Sequence, residues 1–240
     1  MTAGWIWAAV VMAFANFVFG LVGFGNGLVA MAFLPFLMSP VTAIAVLTIY
    51  TVVLSVAILV PLRHHLLPRP VIDMLAGTVV GAPVGVWILN TVDLTTLKHL
   101  IGGTLVLIVL LEWSRLRPKR LASRAWGIGA GMLAGVTGAA VGTPGPPVIV
   151  YSTTQGWSPR AIKANLQAFF VVNQAVILTG YWWTGILDRE VWQLSASFAL
   201  PAAGGTALGM LLFTRIDPQL FRRIVFGLLL VAGILLLARG

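Results

Sequence analysis

Two glycine-rich runs contain the residues best suited to chemistry in this chain. The first is Gly20-Leu-Val-Gly-Phe-Gly-Asn-Gly27, and the second is Gly135-Val-Thr-Gly-Ala-Ala-Val-Gly-Thr-Pro-Gly-Pro-Pro147. Each lies within a long stretch that has no charged side chain. Glycine costs roughly 1 kcal/mol and proline about 3 kcal/mol in a helix interior, so neither run can be continuous helix. Each run therefore predicts a break between two helices.

The chemistry available at such a break is anion binding by backbone N–H groups. A helix that begins at Asn26 or near Pro146 leaves its first N–H groups unpaired, beside the positive end of its dipole. Proline suits a first helical turn, and glycines before it let an anion approach the backbone closely. Two such helix starts, facing each other, predict a cradle for a small anion. Its donors must be neutral, because neither run contains lysine or arginine.

Asn26 is the sharpest single candidate in these runs. It stands where a helix should begin, and asparagine is a favoured N-cap whose oxygen accepts a backbone N–H two or three residues later. Its amide nitrogen would then be free to point towards a bound anion. The sequence therefore predicts an N-cap that also contacts substrate.

The helix after each break presents a face of hydrogen-bonding side chains, because residues three, four and seven apart share one side of a helix. In the second half this face carries Gln167, Phe170 and Gln174, and 119 residues earlier it carries Thr48, Thr51 and Ser55. Such groups can instead form hydrogen bonds between helices, each typically worth about 0.6 kcal/mol in membranes. Substrate binding and interhelical bonding both stay open for these residues. The candidate substrate-binding set is Gly23, Gly25, Asn26, Gly27, Thr48, Thr51, Gly142, Thr143, Pro144, Gly145, Pro146, Gln167 and Gln174.

Composition places both breaks inside a membrane protein. Of the 240 residues, 59% are hydrophobic and 9% are charged, and the mean hydropathy is +1.00. A soluble domain has roughly 25% charged residues, so the sequence predicts an all-α, polytopic membrane protein. Residues 1–62 carry no charge, and as a single helix they would run about 93 Å, three times the hydrocarbon core. This stretch must therefore fold back on itself.

Several functional classes are excluded by what the sequence contains. It has no cysteine, which excludes disulfides and thiolate metal sites. Its three histidines have no metal-ligand spacing with carboxylates, so neither a metal nor another cofactor is expected. The net charge is +9, and the basic residues lie in short loops between apolar segments. Basic residues in such loops indicate the orientation of the protein in the membrane rather than a nucleic-acid partner. No nucleotide-binding loop or catalytic triad is present, so the chain is not expected to be an enzyme.

The apolar segments form two groups of five, separated by a basic linker at 113–124. They fall at 4–22, 26–38, 41–62, 71–90, 96–112, 125–138, 144–156, 159–181, 190–212 and 218–238. A shift of 119 residues lays 23–28 on 142–147, and a shift of 124 lays Gly81 and Gly85 on Gly205 and Gly209. These matches predict an internal duplication, with membrane repeats at 1–112 and 125–240. The Gly-xxx-Gly pairs are expected to permit close helix packing rather than to bind substrate.

Loop charge predicts the orientation of the two repeats. The basic linker should be cytoplasmic, and counting from it places both termini in the periplasm. The halves then have opposite topology, as in inverted-repeat transporters whose broken helices form a site near the bilayer midplane. Residues 26–38 would make about 20 Å of helix, too short for a comfortable crossing. A broken hairpin near mid-membrane fits this length, but two full crossings give the same topology, so both stay open.

The motifs resemble those of the TauE/SafE sulfite exporter family, also called TSUP permeases, whose halves carry glycine-rich motifs. The resemblance covers the whole chain and rests on Gly-Phe-Gly-Asn-Gly at 23–27, Gly-Thr-Pro-Gly-Pro-Pro at 142–147, and a Ser-Pro after each. It implies a bacterial inner-membrane carrier for sulfite, sulfonates or other small organic anions. Asn26 replaces a usual glycine, and prolines replace glycine in the second motif, which bears on the anion carried.

A secondary transporter for a small sulfur-containing or organic anion is therefore the leading hypothesis. A small-anion channel, in which the same breaks line a pore, is the alternative. The expected partners are the anionic substrate and the lipid bilayer, and nucleic acid is not expected. The sequence is compatible with a homo-oligomer without fixing the oligomeric state.

Overall fold

The computed structural model describes residues 3–114, 121, 123–212 and 218–239, with the side chains of 3, 218–224 and 239 left undescribed. Most of the predicted basic linker (115–120 and 122), residues 213–217 and both chain ends lie outside the described residues. The described part of the chain is helical, without strands. Its α-helices are α1 (Ala3–Val22), α2 (Asn26–Phe33), α3 (Pro40–Leu62), α4 (Pro68–Thr91), α5 (Leu94–Trp113), α6 (Arg124–Val141), α7 (Gly145–Thr153), α8 (Pro159–Trp183), α9 (Arg189–Ser197), α10 (Ala199–Leu212) and α11 (Pro218–Arg239).

Helix ends follow local sequence signals. Proline occupies the first position of α3, α4 and α8, where its missing N–H is not needed. Asp93, Ser158 and Asp188 act as N-caps, and the side chain of each accepts the backbone N–H of the third residue of its helix, α5, α8 or α9. Short 3-10 turns at Leu34–Phe36 and Arg63–His65 extend α2 and α3. Local chemistry therefore accounts for most of the predicted boundaries.

One predicted segment, 190–212, is two helices rather than one. α9 and α10 meet at Phe198 with a bend of 49°. Pro201 lies in the first turn of α10, where it cannot donate to the preceding turn and its ring crowds the carbonyl four residues earlier. The proline therefore accounts for the bend that hydrophobicity alone did not reveal.

The protein is a multi-pass membrane protein. Within the described ranges, five helices are long and apolar enough to cross a bilayer, or six if the bent α9–α10 pair forms one span. The five are α1, α3 with its 3-10 extension, α4, α5 and α8. The expectation of an all-α, polytopic fold is thus confirmed. Inverted topology and the depth of the breaks stay predictions.

Helices of the first half pack mainly on helices of the second: α1 on α10, α4 on α6, α3 on α8 and α5 on α11. Glycines permit the first two contacts, since an added Cβ would collide with a carbonyl oxygen of the neighbouring helix. These contacts join Gly205 to Ala13, Gly209 to Phe17, Gly81 to Met132, and Gly85 to Val136. The predicted packing role of the Gly-xxx-Gly pairs is therefore confirmed.

Candidate functional site

Both glycine-rich runs interrupt helices, as predicted. Residues 23–25 separate α1 from α2, and residues 142–144 separate α6 from α7. Gly23, Gly25 and Gly142 have φ angles of 88°, 92° and 72°. A side chain would be strained in this left-handed region, whereas glycine adopts it freely. The backbone turn therefore explains the glycines at these three positions without any ligand.

The two breaks touch each other. A Cβ added at Gly27 would overlap the carbonyl oxygen of Gly142, so the backbones are in direct contact. A Cβ added at Gly145, the first residue of α7, would lie 3.7 Å from the Cβ of Phe24 in the first break. Residues far apart in sequence thus bring the starts of α2 and α7 to one place.

The first break is held by side chains of α8. Lys163 Nζ donates to the carbonyl oxygen of Gly20 at 3.0 Å, and Gln167 Nε2 donates to that of Gly23 at 2.6 Å. Carbonyls at the end of a helix have no partner within it, and a cation there also complements the helix dipole. Lys163 was missing from the candidate set, although it lies one turn before Gln167 on the same helix face.

The second break is held by neutral groups. Tyr181 donates its hydroxyl to the carbonyl of Ala139 at 2.6 Å, and Thr137 donates to the carbonyl of Thr143 at 3.0 Å. The backbone N–H of Thr143 donates in turn to the Thr137 carbonyl at 3.1 Å. Under the shift of 119 residues, Ala139 corresponds to Gly20. Corresponding carbonyls are therefore bonded by an ammonium group in one half and by a phenol in the other.

A cavity of about 10 Å³ lies between the breaks. Thr51, the central residue of α3, and Phe170, near the centre of α8, both form part of its wall. A volume of this size corresponds to roughly one water molecule. Its full lining is Gly25, Asn26, Gly27, Leu28, Thr51, Thr143, Pro144, Gly145, Pro146 and Phe170.

Five candidate residues do not line this cavity: Gly23, Thr48, Gly142, Gln167 and Gln174. Thr48 donates its hydroxyl to the Ile44 carbonyl at 2.8 Å, and Gln174 Oε1 accepts from Asn173 Nδ2 at 2.9 Å. Gln167, as described above, bonds the first break. Thr48, Gln167 and Gln174 thus make contacts within the bundle, which is the alternative role that the sequence left open, whereas Thr51 of the same predicted faces lines the cavity.

Asn26 has a different bonding role from the one predicted. α2 begins at Asn26, but its N-cap is Gly25 and no side chain caps it. Asn26 Nδ2 instead donates to Thr51 Oγ1 at 2.8 Å, while the Thr51 hydroxyl donates to the Leu47 carbonyl at 2.8 Å. The N-cap prediction is therefore wrong, because Gly25 already occupies the cap and Asn26 is the first helical residue. Asn26 still lines the cavity and is 5% exposed.

The hydrogen-bond donors at the cavity are unevenly distributed between the two helix starts. The first bond of α2 runs from Val29 N to Gly25 O at 3.1 Å, so the N–H groups of 26–28 precede it. In α7, Pro146 and Pro147 have no N–H group. Donors from the backbone therefore come mainly from α2.

Thr143 adds a side-chain donor from the second break. It lines the cavity and is 2% exposed, and its hydroxyl oxygen has no hydrogen-bond partner among the described residues. Buried polar atoms are paired in the large majority of cases, and an unpaired one costs about 1–3 kcal/mol. The Thr143 hydroxyl is therefore an unused hydrogen-bonding group on a residue that lines the cavity.

Lys163→Met is expected to destabilise the first break. Methionine is similar in length but cannot donate to the Gly20 carbonyl, and an unpaired buried carbonyl costs about 1–3 kcal/mol. The thermal unfolding midpoint of purified Lys163→Met in detergent should fall. The midpoint of Lys163→Arg should fall less, because arginine keeps a charged donor. Equal midpoints for Lys163→Met and the wild type would contradict a holding role for this bond.

Known proteins similar to this chain agree with the resemblance seen in its motifs. The sulfite exporter TauE/SafE family matches residues 8–236. The chain is 31% identical over 220 residues to the probable sulfite/organosulfonate exporter TauE of Cupriavidus necator, covering 88% of this chain and 85% of that protein. It is 30% identical over 175 residues to the probable inner membrane transporter protein TsaS of Comamonas testosteroni, covering 69% and 70%.

No solved structure gives a significant match. The match to the family spans nearly all of the chain and includes both breaks. The chain therefore belongs to the TauE/SafE sulfite exporter family, which is a family of membrane transporters and not of enzymes.

Proposed function

We propose that this protein is a secondary transporter of a small sulfur-containing oxyanion, sulfite or a sulfonate, which binds in the cavity between the breaks. The observation that carries the proposal is the buried, unpaired Thr143 hydroxyl, which lines the same cavity as the first turn of α2. The names of the two relatives support a sulfur oxyanion as the substrate.

The site suits an oxyanion for electrostatic reasons. Backbone N–H groups and the dipole of α2 favour negative charge at its start. Thr143 supplies a hydroxyl donor, and the Asn26 amide adds a neutral group beside it. No carboxylate is among the lining residues that the structure describes, so no negatively charged side chain in the wall repels an anion.

An inverted duplication underlies the transport mechanism in this proposal, with repeats at 1–112 and 125–240. The glycine–carbonyl contacts of α10 with α1 reappear between α4 and α6 under the shifts of 124 and 119 residues. A pair of side-chain hydrogen bonds joins corresponding positions in the same way, although the residue types differ. Arg124 Nη2 donates to Asp73 Oδ1 at 2.8 Å, and under the same two shifts Trp5 Nε1 donates to Ser197 Oγ at 3.3 Å.

In this arrangement the cavity lies near the bilayer midplane, the basic linker faces the cytoplasm of a bacterial inner membrane, and both termini face the periplasm. The cavity borders the centres of α3 and α8, two of the long spanning helices. Its volume of about 10 Å³ is too small for a sulfonate. The anion therefore enters only after a movement of the helices, as carrier transport requires. A closed channel would also have to open, so the two are separated by the flux experiment below.

Transport by purified protein in liposomes tests this proposal. We expect saturable uptake of labelled methanesulfonate or sulfite, and counterflow when unlabelled anion is trapped inside. Only weak dependence on an imposed pH gradient is expected, since no carboxylate lines the cavity to relay protons. Linear, unsaturable flux without counterflow would indicate a channel, and flux of cations or neutral solutes alone would reject the proposed substrate class.

A further inference from the structure

A second cavity borders the first one, and its character is different. It lies between α1, α2 and α11 and has a volume of about 30 Å³, against about 10 Å³ for the cavity between the breaks. Its lining is apolar apart from the glycine backbone: Val18, Val22, Phe24, Gly25, Leu28, Val225, Phe226 and Leu229. We call it the apolar annex.

The annex and the anion cavity share two residues, Gly25 and Leu28. Gly25 has no side chain to fill the space between them, and a Cβ added there would lie 3.5 Å from Val18 Cγ1. Leu28 is 4% exposed and borders both spaces. A glycine backbone and one leucine side chain are therefore common to a space with anion-binding donors and a space walled by hydrocarbon.

We infer that the transported anion is an organosulfonate with a short, uncharged apolar substituent; this inference rests on the proposed function. The sulfonate group lies among the donors of the first cavity, and the substituent passes Gly25 and Leu28 into the annex. A charged substituent such as an ammonium group is disfavoured, because the annex would strip its water without supplying a hydrogen-bond partner. Bare sulfite leaves the annex unused.

Competition among sulfonates tests the inference in proteoliposomes that take up labelled methanesulfonate. Each methylene buried in the annex should lower the inhibition constant about fourfold, which corresponds to about 0.8 kcal/mol per methylene. Propane-1-sulfonate should therefore inhibit about 16-fold more strongly than methanesulfonate. The sharpest pair is propane-1-sulfonate and 2-aminoethanesulfonate, which have equal numbers of heavy atoms but differ in a methyl against an ammonium group. The methyl compound should be much the stronger inhibitor.

Variants of α11 test whether the preference for longer sulfonates arises in the annex. Leu229 lines the annex and is 1% exposed, whereas its neighbour Leu228 is 42% exposed. Leu229→Phe should fill the annex and bring the propane-to-methane ratio from about 16-fold to near one, while Leu228→Phe should leave the ratio unchanged. Should Leu229→Phe fail to fold, Val225→Leu narrows the same space by one methylene and should reduce the ratio. Leu229→Ala should move the optimum to a longer chain.

The outcomes separate the inference from the proposed function. Absence of transport for every sulfur oxyanion would overturn the proposed function and the inference together. Transport without chain-length preference in the wild type would overturn the inference alone. A preference that Leu229→Phe, Val225→Leu and Leu228→Phe all leave intact would place the substituent elsewhere and also overturn it. Equal impairment of all sulfonates by Leu229→Phe would show that filling the annex does not act on the substituent, and would also overturn the inference.

Discussion

Asn26→Asp is expected to abolish anion transport in a protein that still folds. Asn26 lines the cavity and is 5% exposed, so an aspartate there places a negative charge where the anion must sit. At 4 Å, two unit charges repel by about 4 kcal/mol at an effective dielectric of 20, roughly a thousandfold in affinity. The start of α2 stabilises a carboxylate, and the Thr51 hydroxyl, which donates to the Leu47 carbonyl in the wild type, can turn to donate to it. The variant should therefore fold and stay ionised.

Two control variants separate charge from lost bonding in this experiment. Asn26→Leu keeps the size but removes the bond to Thr51, and it should weaken transport less than Asn26→Asp. Asn90→Asp adds the same charge at an exposed position near the end of α4 and should transport normally. The measurement is counterflow of labelled methanesulfonate at equal protein density. Normal counterflow by Asn26→Asp would place this residue outside the binding site.

Gly27→Ala is expected to prevent stable folding. The added Cβ would overlap the carbonyl oxygen of Gly142, and this obstacle is backbone rather than the end of a flexible side chain. Overpacking typically costs about 1–3 kcal/mol and occasionally more. The cost of Gly27→Ala should lie at the upper end of this range, because the overlap can be relieved only if the backbone of one break moves. The yield of monodisperse protein in detergent and its thermal unfolding midpoint should both fall.

Gly129→Ala is the matched control for this substitution. Gly129 is a helical glycine of α6 with no heavy atom within 4 Å of an added Cβ. Alanine there should be neutral or should stabilise the helix by up to about 1 kcal/mol. If Gly27→Ala and Gly129→Ala had the same unfolding midpoint as the wild type, the direct contact between the breaks would be contradicted.

The sequence alone determined the features that depend on neighbouring residues. Both breaks fall where glycine and proline cluster, since these residues disfavour helix wherever the chain places them. Helix ends at Asp93 and Ser158 follow capping chemistry that acts within one turn. The membrane class follows from composition, and the Gly-xxx-Gly contacts follow from the absence of side chains at fixed spacing. None of these requires knowledge of which helices become neighbours.

Only the tertiary structure decided how each helix is rotated and which atoms its polar groups meet. Periodicity gives Gln167, Phe170 and Gln174 one common face, but packing directs Phe170 to the cavity and Gln167 to the Gly23 carbonyl in the first break. Lys163 reaches the bundle interior because the end of α1 presents a carbonyl without a helical partner there. Asn26 bonds Thr51 of α3 instead of capping its own helix. These partners come from distant parts of the chain, so local propensity contains no information about them.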